Sequence, residues 1–126
     1  MKIVKNCAHL IKRLNEILRY KLYAYNELIR KTGFYLKPIH IVTKRTKEGK
    51  RTYYYFGRYW YKLETYVKDG KRRLKWIYIG TSKPSIILPE PPKNPLENCI
   101  VIVKGNDLIV SDKCYERVIN ICKSIT

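Results

Sequence analysis

The chain has 126 residues, enough for one domain with its own core or one core with an appended element, and too few for a second full domain. With 45% hydrophobic and 13% aromatic residues it is no disordered polar tail, and it lacks an apolar run of about eighteen residues that would span a membrane. Its formal net charge of +17 resides in the first two thirds: residues 1 to 83 hold 22 Lys and Arg against 5 Asp and Glu, whereas residues 84 to 126 balance 5 against 5. Charge this lopsided exceeds what solubility needs and repels itself in a compact state, so a polyanion is expected to meet residues 1 to 83.

At the N-terminus, MKIVKNCAHLIKRLNEIL, Lys12 and Arg13 interrupt the apolar stretch and no small-residue cleavage site follows, so an intracellular location is expected. Residues 7 to 31 place Leu10, Ile11, Leu14, Ile17, Leu18, Leu22, Tyr25, Leu28 and Ile29 at the three-and-four spacing of an amphipathic helix. Asn6 can cap its start, Gly33 suits the position just past its end, and Arg30 and Lys31 complement the terminal carbonyls. The stripe is expected to cover a sheet. Leu10, Leu14, Ile17 and Leu28, flawed by Lys21, also approximate a seam for a second copy, hence a homodimer.

From Lys37 to Gly80 the period becomes alternating, and two turn signals, Glu48-Gly49 and Asp69-Gly70, divide it into strands of roughly 38 to 46, 51 to 67 and 71 to 80. This is an antiparallel meander. Residues 51 to 80 contain seven of the twelve tyrosines and both tryptophans among a crowd of Lys and Arg. A two-residue type I′ turn at Asp69-Gly70 sets Lys68 opposite Lys71 and registers the whole hairpin. One face then carries Tyr59, Tyr61, Leu63, Thr65, Val67, Leu74, Trp76 and Tyr78, and is expected to be core against the helix. The other carries Trp60, Lys62, Glu64, Tyr66, Lys68, Lys71, Arg73, Lys75, Ile77 and Ile79 and is the expected binding surface, with Glu64 facing Lys75 and Tyr66 facing Arg73. Gly57 marks a bulge or bend in the long middle strand. Lys44, Arg45, Lys47, Lys50 and Arg51 make a second basic turn at the strand's other end.

Residues 81 to 98 hold five of the six prolines and read as a stiff segment wrapping the surface, with Ile86, Ile87 and Leu88 tucked into the core. Residues 99 to 126 then read strand, turn, strand, helix. Ser111 or Asp112 caps that helix, and Tyr115, Val118, Ile121, Cys122 and Ile125 form its stripe. The fold class expected is α+β: a long N-terminal helix on a three-stranded antiparallel meander (residues 1 to 83), a proline-rich linker (84 to 98) and a neutral ββα unit (99 to 126) within one domain.

Among chemistry-bearing motifs there is no Gly-rich phosphate loop, HExxH, GxSxG or close carboxylate pair, so no enzyme, catalytic residue or cofactor is expected. His9 and His40 stand alone, and Cys7, Cys99, Cys114 and Cys122 show no metal spacing. Cys7, Cys114 and Cys122 read as small apolar residues on helix faces, a disulfide being admissible in a hyperthermophile; abundant Lys and Ile with no glutamine lean toward such a source.

What remains is a basic, aromatic sheet. Lys and Arg answer phosphates, a two- or three-stranded sheet can lie in a major groove, and exposed rings stack unpaired bases. Nucleic acid, DNA before RNA and duplex before single strand, is the expected partner. Arg58, Trp60, Lys62, Tyr66, Lys68, Lys71, Arg72, Arg73 and Lys75 are its expected contacts. The alternative is a structural or virion assembly protein self-associating through its N-terminal helix and sheet. Association with a membrane is not expected, for lack of an apolar insertion face beside the charges.

The segment YYYFGRYWYKLE…DGKRRLKWIYIG resembles basic hairpin units near the start of some transposases, integrases and small proteins of archaeal mobile elements. That resemblance covers about thirty residues and implies duplex-DNA contacts by Arg58, Lys71, Arg72, Arg73 and Lys75, without the catalytic domain that follows in integrases. In length and composition the chain resembles small proteins of hyperthermophilic archaeal viruses of the Pyrobaculum spherical type, which would place it in the host cytoplasm.

Overall fold

The computed structural model describes residues 1 to 124, apart from the side chain of residue 38. In chain order the elements are β1 (Lys2–Val4), α1 (Ala8–Ile29), a single 3-10 turn (Arg30–Thr32), β2 (Phe34–Thr46), β3 (Gly49–Lys68), β4 (Lys71–Gly80), β5 (Cys99–Lys104), β6 (Asp107–Val110) and α2 (Asp112–Ser124). The strands form one antiparallel sheet of six in the order β1-β6-β5-β3-β2, with β4 also paired to β3. The class is α+β, with an N-terminal helix on a large antiparallel sheet.

β3 organises the sheet because of its length. Its 20 residues rise about 66 Å at roughly 3.3 Å each. One edge pairs with β2 from Gly49 to Lys62; the other is shared by β5, from Arg51 to Phe56, and β4, from Trp60 to Lys68. The meander is therefore continued by β5 and β6 rather than followed by a separate ββα unit. Backbone groups of β3 that β4 does not reach are satisfied by β5. Strand β1, unforeseen in the sequence, completes the sheet beside β6.

The turns explain the registers. Asp69 and Gly70 have φ of 54 and 72°, the two positive values a type I′ turn requires, and pairing from Lys68–Lys71 runs unbroken to Tyr61–Tyr78 as expected. In the first hairpin Thr46 pairs with Gly49, so Lys47 and Glu48 occupy the turn, one residue earlier than the glycine suggests. Gly57 and Arg58 together oppose residue 38, a proline with no N–H to give, and the β2 register shifts there.

α1 begins differently from expectation. Asn6 is left-handed (φ 56°) and donates its backbone N–H to the Asp107 carboxylate at 3.0 Å, while the Ala8 N–H donates to the Asn106 carbonyl at 3.1 Å. The β5–β6 turn thus takes donors that a side-chain cap would have taken. At the other end Gly33 is left-handed and its N–H reaches the Arg30 carbonyl, as expected. Leu10, Ile11, Leu18, Leu22, Tyr25 and Ile29 are buried, but Ile17 and Leu28 are exposed, which splits the seam proposed for a second copy.

Both helices cover the same face of the sheet. The N-terminal half of α1 and α2 pack on Tyr54, Phe56, Val101, Val103, Leu108 and Val110; the C-terminal half of α1 packs Leu22, Tyr25 and Ile29 on Leu36, Trp60 and Leu88. This overturns the expected assignment of faces. Trp60 is 0% exposed and belongs to the core, while Tyr59, Tyr61, Trp76 and Tyr78 lie on the face without helices. The parity is set by Tyr54, Phe56 and Trp60, whose even positions all turn under α1. Apolar content on the odd positions of the second hairpin suggested the opposite, but α1 is only about 33 Å long and its buried stripe ends at Ile29 beside Trp60.

The proline-rich segment inserts Leu88 and Leu96, whereas Ile86 and Ile87 are exposed, contrary to expectation. The Tyr25 hydroxyl donates to the Pro89 carbonyl at 2.6 Å and the Lys83 ammonium to the Leu88 carbonyl at 3.0 Å, which fixes the backbone so that only Leu88 drops onto Trp60. Cys7, Cys114 and Cys122, read as small apolar residues with a disulfide admissible, join Cys99 in two disulfides, Cys7–Cys122 and Cys99–Cys114, with Cα separations of 6.1 and 6.0 Å. Both ends of α2 are thereby tied to the body. Asp112 opens α2; Ile125 of its expected stripe lies outside the described residues. No helix among the described residues is long and apolar enough to cross a membrane.

Candidate nucleic-acid interface

Past Lys62, β3 loses β2 from its flank and α1 has ended; the Leu63 N–H donating to the Gly33 carbonyl at 2.7 Å is the last tie on that side. From the Lys62–Ile77 pair at its root, β3 and β4 run on as a two-stranded ribbon of six further residue pairs, about 20 Å long. Alternation gives it two faces. Lys62, Glu64, Tyr66 and Lys68 share one with Lys71, Arg73 and Lys75, and Leu63, Thr65 and Val67 share the other with Arg72, Leu74 and Trp76. Every residue from Glu64 to Trp76 is exposed.

The structure gathers seven of the nine expected contacts on this ribbon: Lys62, Tyr66, Lys68, Lys71, Arg72, Arg73 and Lys75. Trp60 is excluded by its burial beneath α1. Arg58 stands at the root, where its Nε lies 3.1 Å from the Glu97 carboxylate with both side chains largely covered, so it fastens the proline-rich segment to β3. Glu64 pairs with Lys62 at 3.7 Å rather than with Lys75. Tyr66 does lie opposite Arg73, and is 44% exposed. At the far end of β3, Lys44, Arg45, Lys47 and Lys50 are exposed, and Glu48 draws Arg51 and Lys104 together at 3.5 and 3.7 Å.

Sequence reasoning missed the open face between these two basic ends. Tyr53, Tyr55, Tyr59 and Tyr61 step along β3 with Gly57 among them, flanked by Tyr35 and His40 from β2 and by Trp76 and Tyr78 from β4. Tyr53 and Tyr55 stack at 6.4 Å, His40 tilts on Tyr55 at 5.7 Å, and Tyr61 meets Tyr78 and Trp76 edge-on at 5.5 and 6.0 Å. Tyr35 completes the row against Trp76 at 4.9 Å, and the Lys44 ammonium sits 4.9 Å over the Tyr53 ring. The period-two run of tyrosines was the signal for this face. Among the described residues no second helix layer covers it, and Arg19 and Tyr23 of α1 reach it only beside Tyr35, Tyr61 and Trp76.

Tyr59 lies across Gly57: a Cβ on Gly57 would stand 3.0 Å from the Tyr59 hydroxyl. Below the ring opens a depression of about 300 Å³ lined by Lys37, His40, Tyr55, Tyr59, Tyr61 and Tyr78. Partial burial pushes the Tyr59 phenol above its ordinary value, and the neighbouring Tyr78, Tyr55 and Tyr61 add to the effect. Tyr35 is raised too, first by burial and then by Tyr23, with Arg19 opposing. Among the described residues no three His, Cys, Asp or Glu side chains gather as a metal site. No family model matches the chain, and no curated protein or solved structure shows significant similarity to it.

Proposed function

We propose that this protein binds nucleic acid, duplex DNA first, and that the projecting β3–β4 ribbon is its phosphate-contacting element, in the service of regulation or packaging. One observation carries the proposal: Lys62, Lys68, Lys71, Arg72, Arg73 and Lys75 converge on an exposed ribbon where only Glu64 and Asp69 oppose them. A ribbon two strands wide matches a major groove about 12 Å across. Its length leaves the helical body outside the groove, where Lys44, Arg45 and Lys47 on the other hairpin supply a second, distant positive end. Charge reversal at Arg72 and Arg73 weakens duplex binding and leaves the fold intact, because both side chains are exposed; unchanged affinity would remove the ribbon from the account.

A second function, assembly of copies through the sheet, is favoured by the exposed Ile3, Ile100, Trp76 and Tyr78 on the face without helices. Sedimentation without nucleic acid tests it: a concentration-dependent oligomer indifferent to salt supports assembly, and a monomer argues against it.

A further inference from the structure

The geometry points to a second ligand site, on the open tyrosine face, that holds an unpaired base of a single-stranded nucleic acid in the depression between Tyr55, Tyr59, Tyr61 and Tyr78, with Lys37 meeting the adjoining phosphate. The inference rests on the nucleic-acid reading above but uses none of the ribbon cations. Three observations lead to it. The depression, about 300 Å³, is at the lower end of ligand-pocket size, which suits one flat ring with its sugar rather than an extended molecule. Its wall includes four phenol rings beside Lys37 and His40, and a base stacks on such rings whatever its sequence because every base has a π-face. Charge then selects among flat or ring-shaped ligands. Lys37 stands in the wall itself, Lys44 lies over Tyr53 on the same face, and the protein carries +17, so a cation of the aromatic-cage type is repelled and a flat ring that carries a phosphate is attracted.

Pairing decides the form of the nucleic acid. Bases in a duplex present only their edges, and a broad sheet face reaches none of their π-surfaces; unpaired bases present both. Tyr59 suits a phosphate neighbour, its phenol being held above its ordinary value by burial and by the adjacent rings. Gly57 belongs to the same site. Lacking a Cβ, it lets the Tyr59 ring lie flat along the strand, and the rings of Tyr55 and Tyr61 then frame the opening.

The test measures binding of a short oligothymidylate and of a duplex of the same length to the wild type, to Tyr59→Leu/Tyr78→Leu, to Lys37→Glu and to Arg72→Glu/Arg73→Glu. Expected is a loss of about tenfold or more in oligothymidylate affinity for the tyrosine pair, a smaller loss for Lys37→Glu, and unchanged duplex affinity in both. Lys37→Glu alters only one partly exposed charge, so it keeps the test decisive if the tyrosine pair misfolds. Oligothymidylate binding that survives these variants and falls only with Arg72→Glu/Arg73→Glu overturns the site and leaves the ribbon in place. Binding of duplex with no response to oligothymidylate overturns it equally. If neither nucleic acid binds, and the tyrosine pair instead abolishes self-association, a second copy covers the face and both proposals fall.

Discussion

Trp60 and Trp76 stand on adjacent strands of one hairpin yet on opposite faces of the sheet: Trp60 is 0% exposed, edge-on to Tyr25 at 6.3 Å, and Trp76 is 50% exposed between Tyr35 and Tyr61. The two indoles therefore report on different things. A collisional quencher should reach the emission of Trp76 and leave that of Trp60 intact, and Trp76→Phe should leave emission that is almost unquenchable. Any response to nucleic acid belongs to Trp76. Trp60→Ala, by contrast, opens a cavity in the second core and should cost about 3–5 kcal/mol in denaturant unfolding.

Gly57→Ala tests the arrangement of the open face without removing any of its rings. The added Cβ meets the far end of the Tyr59 side chain, which can swing aside, so stability should change by less than about 1 kcal/mol. Oligothymidylate affinity should fall severalfold, as Tyr59 leaves the depression. A large loss of stability with affinity retained would show that Gly57 serves the β3 bulge instead.

The disulfides close very different loops. Cys7–Cys122 encloses 115 residues and Cys99–Cys114 encloses 15, for which chain-entropy reasoning gives roughly 4.8 and 3 kcal/mol separately. The smaller loop lies inside the larger, so the two contributions do not add in full. Cys7→Ser/Cys122→Ser should lower the midpoint of thermal unfolding more than Cys99→Ser/Cys114→Ser, and reduction of the wild type should lower it at least as far as the first pair.

Alkaline pH should destabilise the fold through its tyrosines. Burial is the first cause raising Tyr25, Tyr35, Tyr54 and Tyr59 above the ordinary phenol value. In the unfolded chain they ionise near about 10, so the folded state holds these protons more tightly. Their contribution is complete below that pH and is lost as pH rises through the folded values. The readout is a comparison between variants under the same conditions: Tyr54→Phe should lose less stability than wild type between pH of about 9 and 11.

Local chemistry made part of this molecule legible. Asp69-Gly70 dictated the turn, and with it the pairing from Lys68–Lys71 to Tyr61–Tyr78; the three-and-four spacing dictated α1; Gly33 marked its end. The cationic ribbon followed directly from that register. Which face the helix would cover did not, because both faces of residues 59 to 79 carry large apolar side chains, and the choice depends on where α1 ends relative to Leu36 and Trp60. Partners distant in sequence were equally silent. The β1–β6 and β3–β5 pairings, and the meeting of Cys7 with Cys122, are set only when the two helices settle on one face. The open tyrosine surface is the consequence of that settlement.

The central claim is that the ribbon neutralises phosphates, and the most direct measurement is duplex affinity as a function of salt, in the wild type and in Arg72→Glu/Arg73→Glu. If all six ribbon cations engage phosphates, the logarithm of affinity falls against the logarithm of salt with a slope of about −5.4. Removing two of them should bring the slope to about −3.6 while the unfolding transition stays where it was. An affinity that ignores salt, or a slope untouched by the double variant, would contradict the account.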